Sequence, residues 1–241
     1  YIAALGKEAA AKAINDAIDN LQEKPADYTA LQAAFDNAKA EITKNANFKA
    51  ANGVDYYTAD SLANLQAAID AVPVDASGAI IEDKKLSEQA DVDALTTALV
   101  NVVLVVNGAN YDALDEILLT VPSEEDLERL YTVDSAAALL AAVINANSVD
   151  RNLKVDEQAT IDALVAEVDA AIKGLEYKPA DYTAVENAIA AARTELAKGI
   201  WTADSAKAVE DAIAAVEYGK NILEQDAVNA MAEAINAKVA L

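Results

Sequence analysis

The sequence predicts an all-α protein made of tandem up-down-up three-helix bundles that form an elongated rod. Three observations carry this expectation. First, apolar residues, many of them alanine, make up 54% of the 241 residues, while Gly is 7 and Pro is 4. Alanine is the best helix former and the two main helix breakers are scarce. Second, the heptapeptide K-P-A-D-Y-T-A stands at residues 24–30 and again at 178–184, with a weaker copy, N-G-A-N-Y-D-A, at 107–113. Third, between these copies the aliphatic residues recur at steps of three and four, which places them on one face of a helix.

Two further motifs keep the same order after each heptapeptide. The pattern aromatic-T-x-D-S stands at residues 57–61, 131–135 and 201–205, and Glu-Gln before an apolar run stands at 88–89, 157–158 and 224–225. The repeats are therefore expected at 24–106, 107–177 and 178–241, the first with long loops and the second divergent. Residues 1–23 match the end of a repeat, since Ile18, Leu21 and Lys24 correspond to Ile172, Leu175 and Lys178. They are expected to be the terminal helix of a preceding partial repeat, in a chain cut from a longer protein.

Each repeat reads as three helices. The first carries Tyr28, Leu31, Phe35, Ala38 and Ile42, matched by Tyr182, Val185, Ile189, Ala192 and Leu196 in the third repeat. The second carries Leu62, Leu65, Ile69 and Val72, matched by Ala206, Val209, Ile213 and Val216. The third carries Val92, Leu95, Leu99 and Val102, matched by Ile161, Leu164, Val168 and Ala171. Asp27 and Asp181 are expected N-caps of first helices, each just after a proline that shapes the helix entry. Thr58, Thr132 and Thr202 are expected to cap second helices, with the aromatic before each at the hydrophobic-staple position. Ser87 and Asp156 are the expected caps of third helices. The apolar run at 100–106 is too short to span a membrane and reads as a buried helix segment.

Composition excludes several functions. The chain has 18 basic and 41 acidic residues, a formal charge of −23, which argues against nucleic acid and anionic membrane surfaces. It has no His and no Cys, so disulfides, imidazole or thiolate metal sites and a Ser-His-Asp triad are excluded. No enzyme, no metal site and no cofactor is expected. Glu124, Glu125 and Asp126, after Pro122 and Ser123, read as acids favoured at a helix start. The excess charge is expected to keep the chain soluble and monomeric, without membrane insertion.

The three motifs together resemble the FIVAR module ("found in various architectures"). The resemblance covers nearly the whole chain, clear in the first and third repeats and weaker in the second, where Asn107-Gly108 replaces Lys-Pro. It implies three-helix bundles in large secreted or wall-attached proteins of Gram-positive bacteria, beside glycoside hydrolases, carbohydrate-binding modules and adhesins. The implied role is a non-catalytic extracellular spacer or interaction segment.

Two groups of residues are candidate sites. Tyr28, Tyr111 and Tyr182 are equivalent, as are Tyr57, Tyr131 and Trp201. Such rings could stack on sugars, but recurrence at one helix-start position is what core wedges would do, and a structural role is expected. The first repeat departs from its siblings in a long first connection around residues 47–55 and a long second one at 73–85. In the first, Phe48, Asn52 and Tyr56 combine aromatic faces with an amide, a pattern suited to a sugar; the alternative is that Phe48, Ile80 and Ile81 close the bundle end. The expected partner is a glycan or a host or cell-surface protein. Recognition of a protein predicts an exposed apolar patch on one repeat that its siblings lack.

Overall fold

The computed structural model describes residues 2–240. Tyr1 and Leu241, the outer ends of the first and last expected segments, lie outside the described residues. The chain is all-α: among the described residues there are eleven α-helices, short 3-10 turns and isolated β-bridges, with no β-strand. The fold divides into two compact units. One reaches to Ala109 and takes in Lys154–Asp156; the other comprises Asn110–Leu153 and continues from Glu157.

In the first unit, α1 (Ile2–Asp19) is followed by α2 (Thr29–Asn52), α3 (Ala59–Asp70) and α4 (Gln89–Val100). The expected helix over 1–23 ends early. Asn20 turns its amide onto the Asp16 carbonyl at 2.6 Å, and the chain then runs extended toward Pro25. Residues 3–25 are exposed, Leu5, Ile14 and Ile18 included. The next three helices pack on one another around Leu31, Phe35, Leu65, Val92 and Leu99, all buried. The expected stripes thus supply the core, and burying each such side chain is worth about 1.5–3 kcal/mol.

Three expectations for this unit are corrected. Residues 47–52 are not a loop: α2 runs on through Phe48 to Asn52 and stops at Gly53, whose φ of 77° turns the chain and lets its N–H reach the Lys49 carbonyl at 2.8 Å. The apolar run at 100–106 is not helical beyond Val100. It leaves the helix as an extended segment whose Val105 carbonyl accepts the Thr58 N–H at 2.8 Å, with Val103 exposed. Its valines favour extended backbone, and that backbone finds partners in the turn before α3. Ser87 does not cap a helix. The chain enters α4 through a 3-10 turn, Leu86–Glu88, closed by Glu88, whose carboxylate accepts the Lys85 N–H at 3.0 Å. The second connection is a hairpin-like turn: Val74 pairs with Ile80, and Asp75 accepts the N–H groups of Ser77 and Ala79. Ile80 is buried in the core and Ile81 is exposed.

The second unit holds α5 (Asp112–Leu118), α6 (Glu124–Leu130), α7 (Val133–Asn147), α8 (Gln158–Lys173), α9 (Thr183–Leu196), α10 (Ala203–Ala214) and α11 (Gln225–Val239). The segment 107–177, expected to hold three helices, holds four. Pro122 has no N–H to continue a helix, and Ser123 restarts one by accepting the Asp126 N–H at 3.1 Å. The first helix is thereby split into α5 and α6. Leu114, Leu127, Leu139, Ile161 and Val168 are buried. In the third repeat α9, α10 and α11 pack around Val185, Ile189, Val209, Val228 and Ile235, with buried Ala188, Ala192 and Ala232 letting the helices approach closely.

Candidate functional site

The recurring polar residues converge on one local arrangement, built the same way in every repeat. The glutamine of each Glu-Gln pair opens a third helix and faces the backbone of the residue before the recurring tyrosine. Gln89 accepts the Asp27 N–H at 2.7 Å and donates to its carbonyl at 3.0 Å. Gln158 does the same to Asn110, at 2.7 and 2.9 Å, and Gln225 to Asp181, at 2.7 and 2.9 Å. A second donation from each amide, to Asp93, Asp162 or Asn229 one turn on, fixes its orientation.

Asp27 and Asp181 are not the N-caps expected: that position falls one residue later, on Tyr28 and Tyr182, which make no side-chain cap bond. From just outside the helix their carboxylates instead accept the N–H of Thr29 and Thr183, the first residues of α2 and α9, at 2.9 and 2.8 Å. Those contacts with Thr29 and Thr183 hold both carboxyls below the usual range. Tyr28, Tyr111 and Tyr182 each accept, on the hydroxyl, the N–H of a residue just ahead of a third helix: Lys84 at 3.1 Å, Leu153 at 3.2 Å and Lys220 at 3.1 Å. Tyr111 and Tyr182 also donate, to the carbonyls of Asp150 and Glu217. Thr58, Thr132 and Thr202 cap α3, α7 and α10 by accepting the N–H of Ser61, Ser135 and Ser205.

The aromatics before these threonines differ in setting. Tyr57 is buried. Tyr131 is half-buried and stacks on Tyr177 with ring centroids 4.8 Å apart. Trp201 is partly exposed; its indole donates to the Glu195 carbonyl at 2.8 Å and closes a cavity of about 20 Å³ with Leu196, Ala206 and Val209. That volume holds one water and no organic ligand.

The corner that supplied the candidate sugar site is only partly assembled. Phe48 and Tyr56 meet, with centroids 5.1 Å apart, and Tyr56 meets Tyr57 edge-on at 4.8 Å. Asn52 does not join them. It is exposed at the helix end, and its amide donates to the Phe48 carbonyl at 3.0 Å. The residues that organise the corner are Glu41, Lys44 and Asn45, which sequence reasoning missed. With Phe48 they fall at i, i+3, i+4 and i+7, a spacing that marks one face of α2.

Lys44 places its ammonium 4.4 Å from the Tyr56 ring centroid and donates to the Tyr57 hydroxyl at 3.1 Å, which raises its pKa. The Tyr57 hydroxyl donates to Glu41 at 2.5 Å; burial, then this bond, pushes the phenol up. Asn45, itself buried, accepts the N–H groups of Tyr56 and Tyr57 at 2.8 and 3.0 Å and donates to Asp55 at 2.8 Å. Lys49 closes the loop with an ion pair to Asp55 at 2.8 Å. The Asp55 carboxyl is held below its usual range by Lys49 and then by Asn45.

Chemically, the corner fixes a loop by cation–aromatic and amide contacts. Beside it, one face of α2 from Asp36 to Asn52 forms a shallow, open groove. Among the described residues no cluster of three or more acidic side chains is placed to hold a metal ion, and no buried side-chain nitrogen or oxygen lacks a hydrogen-bond partner. Among them, too, no helix is long and apolar enough to cross a membrane. Comparison of the chain with models of known protein families, with curated proteins and with solved structures found no match.

Proposed function

We propose that the chain is a non-catalytic spacer of the FIVAR type: tandem three-helix bundles, in an elongated rod, that hold other modules away from a bacterial surface. The supporting observation is the linker between the second and third repeats, which is bonded on both edges. Lys178 donates its N–H to the Leu130 carbonyl and accepts the Ile222 N–H on its own carbonyl, both at 2.8 Å. A linker held in this way has little freedom to hinge, which is what a spacer needs. The recurring tyrosines, glutamines and threonines are occupied in the same lacing, so the residue types that most resemble a ligand site already have structural partners. The motif resemblance supports an extracellular setting, on a secreted or wall-attached protein of a Gram-positive bacterium.

Small-angle scattering tests the reading. Three bundles end to end give a maximum dimension of about 80–100 Å, from helices of ~18 residues at ~1.5 Å per residue. A compact globule of this length has a radius of gyration of about 18 Å. A measured radius near that value removes the spacer reading, as does turnover of any substrate by the purified chain.

A further inference from the structure

The second repeat carries a surface that its siblings lack. Between Asp134 and Asn147 the helix α7 has no charged residue, and its polar side chains there are Ser135 and Asn145. Leu139, Ala142 and Ala146 face the core. On the outer side Val133, Ala137, Leu140 and Ile144 succeed one another at steps of four, three and four, forming one continuous stripe. Val133 is 77% exposed, Leu140 40% and Ile144 70%.

Counted from the capping threonine, the positions of Leu140 and Ile144 are held by Gln66 and Asp70 in α3, and by Glu210 and Ala214 in α10. The position of Ala137 is Lys207 in α10. A helix that is apolar on all sides is normally covered on all sides, yet this one is open to solvent along three turns. Its upper half forms the floor of an open groove of about 350 Å³, walled by α6 through Glu124, Leu127 and Glu128.

We propose that this stripe is a docking site for an amphipathic helix of a partner protein, one with aliphatic side chains at i, i+3, i+4 and i+7 and Lys or Arg along its flanks. The row on α7 has the spacing and length that receive such a helix. The flanking charge selects its sign. Glu124 and Glu128 edge the groove, Asp134 stands beside Val133, and the ammonium of Lys178, also in the groove, is turned onto the Glu128 carbonyl. A second copy of this chain would bring another 23 negative charges, and an anionic lipid surface would be repelled in the same way. Docking of this kind is independent of the spacer role.

The test uses the full chain and a labelled 18-residue synthetic helix with Leu on one face and Lys on the flanks, monitored by fluorescence anisotropy. The chain is expected to bind it. Ile144→Ser, which leaves the charge unchanged, and Leu140→Lys should each weaken binding by about tenfold or more. Both sites are exposed, so circular dichroism should be unaltered, and Gln66→Lys on α3 should bind like the parent. A permuted peptide of the same composition without an apolar face should bind at least about tenfold more weakly.

Equal binding of the permuted peptide, or of Ile144→Ser, overturns the proposal. So does sedimentation of the parent chain as a dimer that Leu140→Lys dissociates, which assigns the stripe to a second copy. Capture of the parent, but not Leu140→Lys, by phosphatidylcholine–phosphatidylglycerol vesicles assigns it to lipid instead.

Discussion

The side-chain amide of Gln89 pairs with the backbone of Asp27 across 62 residues of sequence, taking its N–H and giving a hydrogen to its carbonyl. The geometry imitates a neighbouring β-strand with one side chain. It ties the start of the first helix to the start of the third, and Gln158 and Gln225 repeat it. Replacing Gln89 with Ala removes both bonds and leaves two backbone groups to water, since the site is exposed. At about 0.5–1.5 kcal/mol per bond, the loss should be about 1–3 kcal/mol. The Asp27 amide should exchange with solvent faster in Gln89→Ala, while the Asp181 amide, served by Gln225, keeps its protection. Equal protection at Asp27 in parent and variant would show that the amide contact contributes nothing.

Much of the fold is legible in the sequence because the repeats make it redundant. The stripe Leu31–Phe35–Ala38 has a copy in Val185–Ile189–Ala192, both are buried, and the threonine caps recur at every second helix. The departures have local causes. The run at 100–106 is apolar enough for a helix interior, but its valines pair as extended backbone with the turn at Tyr56–Thr58, a contact no periodicity reveals. In the second repeat, Pro122 stands ahead of α6 and equally forbids α5 to continue into it. The first helices of the sibling repeats carry no proline, so alignment on the shared motifs hides that break. The aromatic corner reads as a loop because residues 47–52 lack an apolar stripe, although nothing before Gly53 stops the helix. Phe48 and Tyr56 do meet there. Asn52 lies between them in sequence, whereas the buried amide is Asn45, seven residues earlier.

Asn45 is therefore the residue whose loss should cost the corner most. It is buried, and its oxygen serves two backbone N–H groups while its nitrogen serves Asp55. Asn45→Leu keeps the branched outline of the side chain, at a larger volume, but leaves the N–H groups of Tyr56 and Tyr57 without that acceptor. Unsatisfied buried donors cost about 1–3 kcal/mol each, so for the two together a destabilisation of about 2–6 kcal/mol is expected in urea unfolding of the first unit. Asn52→Ala, by contrast, should be nearly neutral, within about 0.5 kcal/mol, as for most surface substitutions. The reverse order would mean that the corner is organised from the helix end, through Asn52.

The same corner sets a pH dependence. Asp55 is held below its usual range by Lys49 and Asn45, so its folded pKa lies below its unfolded one. Such a group contributes stability above the unfolded value, about 3.9, and that contribution is lost as pH falls through the folded value. Asp27 and Asp181 are depressed by their bonds to Thr29 and Thr183 and act in the same direction. Thermal unfolding of the parent should change little through these groups from pH 7 to about pH 5, then decline steeply below about pH 4. Asp55→Asn removes the charge that pairs with Lys49. It should be less stable than the parent at pH 7, and the gap should close as pH falls from about 3.9 through the lowered folded pKa of Asp55, where the parent carboxyl takes up its proton. A gap that stays constant over that range would mean that the carboxylate charge has no part in holding the loop, leaving the amide of Asn45 to do so alone.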